Sequence, residues 1–186
     1  MSLQPYNVTI NIWAFQFAKN IASDGLTNFM LVLSASFFLV IIFLIVYMYY
    51  KRDANFYSLV TAMVLLYLIS DIIKLILKEP RPCNIQNISW INNVNCDASY
   101  SFPSSHASVL TGLPIFLNRY RVIDALYILW LILVLFGRIY LGLHYLTDVI
   151  AGAILSILIS YLIYNYRRSI NAFGAKLLHN IKRASR

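Results

Sequence analysis

Four apolar stretches, residues 26–50, 57–77, 122–140 and 145–164, leave this chain few ways to fold. Each reaches the roughly 20 residues with which a helix crosses a ~30 Å hydrocarbon core. Water offers no refuge for them. Of 186 residues, 60% are hydrophobic and 12% charged, against roughly 45–50% and 25% in a soluble domain. The expected fold is therefore an all-α integral membrane helical bundle, a single domain over residues 1–186. A fifth apolar stretch, residues 105–118, is shorter and contains Gly112 and Pro114. Runs of that length are often core helices or re-entrant segments, so its status has to come from elsewhere.

Charge supplies it. Lys51 and Arg52 follow the first span, Arg119 and Arg121 the short stretch, and Arg167, Arg168, Lys176, Lys182, Arg183 and Arg186 the last. If residues 105–118 cross, five spans alternate and all these cations fall on one side, which the positive-inside rule makes cytoplasmic. If they do not cross, Arg119 and Arg121 face away from Lys51 and Arg52, a poorer pattern. The expectation is five transmembrane helices, with segment 1–25 and loop 78–103 outside and a basic tail, 166–186, inside. Tyr47, Tyr49, Tyr50, Tyr164 and Tyr166 then form an inner aromatic belt. Ile10, Trp13, Phe17 and Ile21 recur at spacings of three and four and read as an N-terminal interfacial helix, the alternative being an unordered terminus. Segment 1–25 does not read as a signal peptide, because the run after it is too long and lacks a small-residue cleavage site.

Two further features fit this orientation. The sequons at Asn7 and Asn87 fall outside. Cys83 and Cys96 share the outer loop, where an oxidising compartment permits a disulfide. The net charge of +8 does not indicate nucleic acid, since the cations form short clusters between spans rather than an aromatic-interleaved patch. There is no Gly-rich phosphate loop and no CxxC pair.

Ionisable groups at the ends of spans are costly and mark function by default. Lys74, Arg81, His106, Arg138, His144 and Asp148 are scattered over 75 residues of sequence, yet all fall at the outer boundary of this topology. Three permanent cations at one level suit a multiply charged anion, and the planar guanidinium fork suits phosphate. His144 and Asp148 stand i,i+4, on one helix face. A carboxylate on one imidazole nitrogen fixes the tautomer and leaves the other free to attack. His106 is placed to protonate a leaving oxygen. Ser104 and Ser105 begin the short helix, where their amides can face an anion.

Lys74-x6-Arg81-Pro82, Pro103-Ser104-Ser105-His106 and Arg138-x5-His144-x3-Asp148 resemble the three-part signature of the type 2 phosphatidic acid phosphatase family, membrane lipid phosphatases related in site chemistry to vanadium haloperoxidases. Each fixed position matches by chance roughly one time in twenty, so the ordered set is specific. The resemblance implies that Lys74, Arg81 and Arg138 clamp phosphate with Ser104 and Ser105. It implies His144 as nucleophile, forming a phosphohistidine and oriented by Asp148, and His106 as acid and then base. It implies a lipid phosphate substrate and no metal or other cofactor. The small family members that recycle polyprenyl carriers point to a polyprenyl diphosphate, with phosphatidylglycerol phosphate or phosphatidic acid as alternatives. Two positions depart from the pattern: Ser105 stands where the family has glycine, and Gly137 where it has serine.

Blander roles compete at other positions. Lys78 either reaches a second phosphate or is a solvated charge beside Glu79, Asp71 pairs with Lys74 or another span, and His179 is an interfacial residue. Two other function classes use the same residues. One is a haloperoxidase-like or small-molecule phosphatase, which five spans of membrane burial disfavour. The other is a non-catalytic lipid-binding or scramblase-like module, which would not need a nucleophile with its orienting carboxylate.

Overall fold

The structure, a computed structural model, describes residues 8–85, 94, 96, 98–117 and 121–184. The sequons at Asn7 and Asn87, and Arg119 and Arg186, lie outside the described residues, as do the side chains of His179 and Lys182. Every regular element among the described residues is helical. In chain order these are α1 (Thr9–Asn20), α2 (Asp24–Tyr50), α3 (Phe56–Leu77), α4 (Pro82–Ile85), α5 (Ser105–Leu110), α6 (Pro114–Leu117), α7 (Arg121–Tyr140), α8 (Leu146–Asn165) and α9 (Arg167–Ala184).

Four helices, built on α2, α3, α7 and α8, are long and apolar enough to cross a membrane. Their surfaces suit one. Of its 27 residues α2 buries Thr27, Met30, Leu44 and Met48, while Val32 and Leu39 are each 71% exposed. Water would penalise such a surface; hydrocarbon does not. Ser23 caps the helix by accepting from Leu26 N at 3.3 Å. At the far end of α3, Lys78 adopts a left-handed conformation (φ 51°) and its N–H returns to Lys74 O at 2.9 Å. Pro80 follows, where the helix cannot continue.

The short apolar stretch is a broken helix. After Leu110 the chain turns through Thr111–Gly112–Leu113 and restarts at Pro114, which has no N–H to give. Gly112 N finds Ser156 Oγ at 2.8 Å on α8 instead of a helical carbonyl. This α5–α6 unit packs on α3 and α8. Leu110, Leu113, Phe116 and Leu117 are fully buried there with Leu59, Ala62 and Leu66 of α3. Gly152 makes the packing possible, because a Cβ there would stand 2.8 Å from Ser104 O and 3.0 Å from Ala107 Cβ.

α1 is helical, as its periodicity suggests. Trp13 and Phe17 face outward, 62% and 46% exposed, while Asn11, Ala14, Phe15 and Ala18 pack inward. The basic tail contains α9, an 18-residue helix that the apolar pattern did not announce.

Candidate active site

Lys74 at the end of α3, Arg81 before α4, the start of α5, Arg138 at the end of α7 and Asp148 in the first turn of α8 all lie at one end of the bundle. Local turns bring them together. Gly142 takes φ 62°, open to glycine without strain. The reversal lets Leu143 N and His144 N both return to Arg138 O, at 3.0 and 3.2 Å. Three further backbone bonds tie the segments: Ser101 N to Glu79 O at 2.7 Å, Ser104 N to Asp148 O at 3.2 Å and Cys83 N to Gly142 O at 3.0 Å. Cys83 and Cys96 are joined as a disulfide.

His144 is 1% exposed and held from both sides. Its Nδ1 stands 3.3 Å from Asp148 Oδ2, and its Nε2 stands 3.3 Å from Arg81 Nη1. A guanidinium only donates. Nε2 therefore accepts, the ring proton sits on Nδ1, and Nδ1 donates to Asp148. The lone pair of Nε2 points toward the cations. Burial first, then the charges of Arg138, Arg81 and Lys74, push the His144 pKa well below the ordinary histidine value. The imidazole is thus neutral at the pH where a free histidine begins to charge.

Asp148 is fully buried. Its Oδ2 also accepts from Tyr145 N at 2.9 Å and from Ser101 Oγ. Ser101 belongs to no signature and was not singled out from sequence. Arg81 is fixed by donations to Ser99 O at 2.9 Å, Ser99 Oγ at 2.7 Å and Leu143 O at 3.0 Å. Arg138 donates from Nη1 to Ser34 Oγ of α2 at 2.7 Å. Lys74 spends its donors differently from a simple phosphate clamp. Its Nζ donates to the carbonyls of Tyr100 and Ser101 at 3.1 and 3.2 Å and to that of Pro103. Lys74 thereby shapes the strand of chain that leads into α5, while its charge bears on both imidazoles.

The two departures from the signature have structural counterparts. Ser105 is helical and is not among the residues with positive φ, so glycine's freedom is not required there. Its hydroxyl accepts from Ser70 Oγ at 3.4 Å. At Gly137 a Cβ would stand 3.3 Å from Met30 Sδ of α2. The same helix supplies the Ser34 hydroxyl beside Arg138. Ser104 N is taken by Asp148 O, so the amide expected to face an anion instead links two motifs. Its hydroxyl is buried without a hydrogen-bond partner in the structure. Lys74 gives its hydrogen bonds to backbone carbonyls rather than to Asp71, and Lys78 is exposed.

His106 is half-buried, its ring 4.3 Å from that of Phe37 between centroids. It lines a groove of about 510 Å³ between α2 and α3, walled by Ile41, Met63, Val64, Leu68 and Val109. The polar side chains there come from Tyr67, Ser105 and His106. Behind the His144 loop, Asn11 of α1 makes a reciprocal pair with Thr147: Nδ2 donates to Thr147 Oγ1 and Oδ1 accepts from Thr147 N, each at 3.1 Å. Asn11 is fully buried. Neither Asn11 nor Ser34 carries a sequence signal, because each meets its partner across more than 100 residues of chain.

Residues 55–172 match the model of the PAP2 superfamily. Lipid A 4'-phosphatase of Bacteroides thetaiotaomicron is 35% identical over 99 residues, 50% of this chain and 44% of that protein. Undecaprenyl-diphosphatase of Sulfolobus acidocaldarius is 30% identical over 107 residues, 56% of this chain and 52% of that one. The chain thus spans about half the length of these curated relatives. The crystal structure of Aquifex aeolicus LpxE superposes with a TM-score of 0.74 at 22% identity, covering 89% of this chain and 100% of that chain, a likeness of fold.

Proposed function

The chain belongs to the PAP2 superfamily, and from that premise we propose that it is a lipid phosphate phosphatase working through a phosphohistidine on His144. The observation that carries the reading is the Arg81–His144–Asp148 arrangement, which aims a neutral Nε2 at a cluster of fixed cations. In the first step the Nε2 lone pair attacks phosphorus, the bond to the leaving oxygen breaks, and His106 gives that oxygen a proton. Asp148 stabilises the positive charge that develops on the imidazole. Arg81 and Arg138 face the charge of the transferring group, with Ser104 and Ser105 beside them and Lys74 bracing the segment that holds them. In the second step His106 takes a proton from water, water displaces Nε2 from phosphorus, and inorganic phosphate leaves.

The proposed substrate is a polyprenyl diphosphate, cleaved to the monophosphate at the outer face of the membrane, with the C-terminus cytoplasmic. The apolar groove reaching His106 suits a tail that stays in the hydrocarbon while its head enters the site. Lys78 is exposed near Lys74 and is available to a second phosphate. Phosphatidylglycerol phosphate and phosphatidic acid are the competing substrates.

The test is phosphate release in one detergent with EDTA present, comparing kcat/KM for a polyprenyl diphosphate, phosphatidylglycerol phosphate and phosphatidic acid. The expected order has the diphosphate first. A glycerolipid ahead by about tenfold, or 1.4 kcal/mol of transition-state binding, reverses the assignment. Turnover that needs added Mg²⁺ would contradict the histidine mechanism.

A further inference from the structure

The end of the bundle away from His144 carries a second surface. Residues 167–184 hold Arg167, Arg168, Lys176, Lys182 and Arg183 and no Asp or Glu. Their helix, α9, packs on α3 and α8. Its hydrogen bonds to α3 and the close approach of Gly174 fall on neighbouring residues there. Ser58 N donates to Asn171 Oδ1 at 3.0 Å and Ser58 Oγ to Arg167 O at 3.4 Å, while Gly174 lies against the Tyr57 ring. Residues 167 to 174 cover roughly 10 Å of helix axis yet meet a single level of α3. α9 therefore crosses the end of a membrane-spanning helix rather than running beside it.

Around α9 the side chains divide. Asn171 and Gly174 face the bundle. Phe173 and Leu177, one turn apart, are 70% and 51% exposed on one flank. At about 100° per residue, the exposed Arg168, Lys176 and Arg183 occupy the remaining arc, with Lys176 and Arg183 bordering Phe173. Lys51 and Arg52, also exposed, add cations at the same end. The acids at this end are Asp53, whose Oδ1 accepts from Asn55 N at 2.7 Å, and Asp124 at the start of α7.

We propose that α9 is an interfacial anchor for an anionic lipid surface, with Phe173 and Leu177 among the acyl chains and Arg168, Lys176 and Arg183 at the head-group phosphates. An amphipathic helix lying in the membrane plane needs an apolar flank for the acyl boundary and a cationic arc for the head groups. Long basic side chains beside the apolar flank reach up to the phosphates while their stems stay in apolar surroundings. The partner is the leaflet opposite the active site. No described side chain of α9 enters the candidate site, so this anchoring is separate from the phosphatase reading.

The test places a nitroxide on the full chain at Phe173→Cys or, as reference, at Lys176→Cys, since the native Cys83 and Cys96 are joined to each other. The protein is reconstituted into phosphatidylcholine vesicles with or without phosphatidylglycerol. In the anionic vesicles, position 173 should be several-fold more accessible to oxygen than to a water-soluble nickel complex, and position 176 should show the reverse. Phosphatidylcholine alone, raised salt, or an Arg168→Glu/Arg183→Glu background should each lower the ratio at 173. Nickel accessibility at 173 in anionic vesicles overturns the proposal. An oxygen ratio indifferent to lipid charge and salt overturns the anionic partner, and the lipid swap needs no charge variant to fold.

Discussion

At the scale of single residues, His144 sits between a cation that can only donate and a carboxylate that can only accept, and the two neighbours have separable effects. Replacing the imidazole, His144→Ala, should abolish phosphate release in protein that still folds, with a lowered unfolding temperature because a buried, hydrogen-bonded ring is lost; activity within about tenfold of the parent (1.4 kcal/mol) removes it from the nucleophile role. Asp148→Asn should be milder, since the ring keeps its place but loses its charge partner. Because burial and the cations hold the His144 pKa below its ordinary 6.5, the neutral imidazole persists into more acidic solution, and on the proposed mechanism the acid limb of kcat/KM should lie below that value. Arg81→Met removes one of the lowering charges, so the limb should move up toward 6.5. The sign for stability follows from the same depression. The His144 contribution is complete above about 6.5 and is lost as pH falls through the folded value. Ser34→Ala takes away an acceptor of Arg138 and should cost on the order of tenfold in kcat/KM, as for a charged hydrogen bond. That serine was illegible in sequence, as was Ser101, because nothing local marks a hydroxyl that meets its partner through the fold. The histidines and cations were legible because charge at a membrane boundary is expensive enough to stand out.

Elements repeat the lesson at longer range. The sequence boundaries of the four long spans lie within two residues of α2, α3, α7 and α8, since hydrocarbon imposes a minimum apolar length that ordinary propensity does not. The break between α5 and α6 was signalled by Gly112 and Pro114, but the partner that makes it tolerable, Ser156, was not. α9 escaped notice because an amphipathic helix alternates apolar and basic residues and shows no long run. α1 precedes the residues matched to the family model, yet it grips the start of α8 beside His144 through Asn11. Asn11→Ala should lower kcat with little change in KM, as Thr147 and the neighbouring Asp148 lose their support. Loss of a buried, reciprocal pair should also destabilise the fold by about 1–3 kcal/mol, read by thermal unfolding. The Cys83–Cys96 bridge has a sequence separation of 13, and a loop of that size contributes roughly 3 kcal/mol by chain entropy. A Cys83→Ser/Cys96→Ser protein should unfold earlier by that measure.

For the whole molecule, the groove between α2 and α3 sets how a substrate arrives. Leu68→Trp narrows that groove without touching the cations. It should slow hydrolysis of a long-chain diphosphate while sparing a short-chain, water-soluble ester; equal slowing of both rules out sideways entry. All the candidate catalytic groups lie at one end of a bundle whose helices run through the membrane. On the proposed phosphatase reading, a protein so built is a leaflet-selective reagent. In sealed vesicles with uniformly inserted protein and substrate on both sides, hydrolysis should come in two phases: a fast one that consumes the facing monolayer, then a slow one timed by lipid flip-flop. The plateau between them counts the lipid in each monolayer, and the second phase becomes a clock for any flippase added to the same membrane.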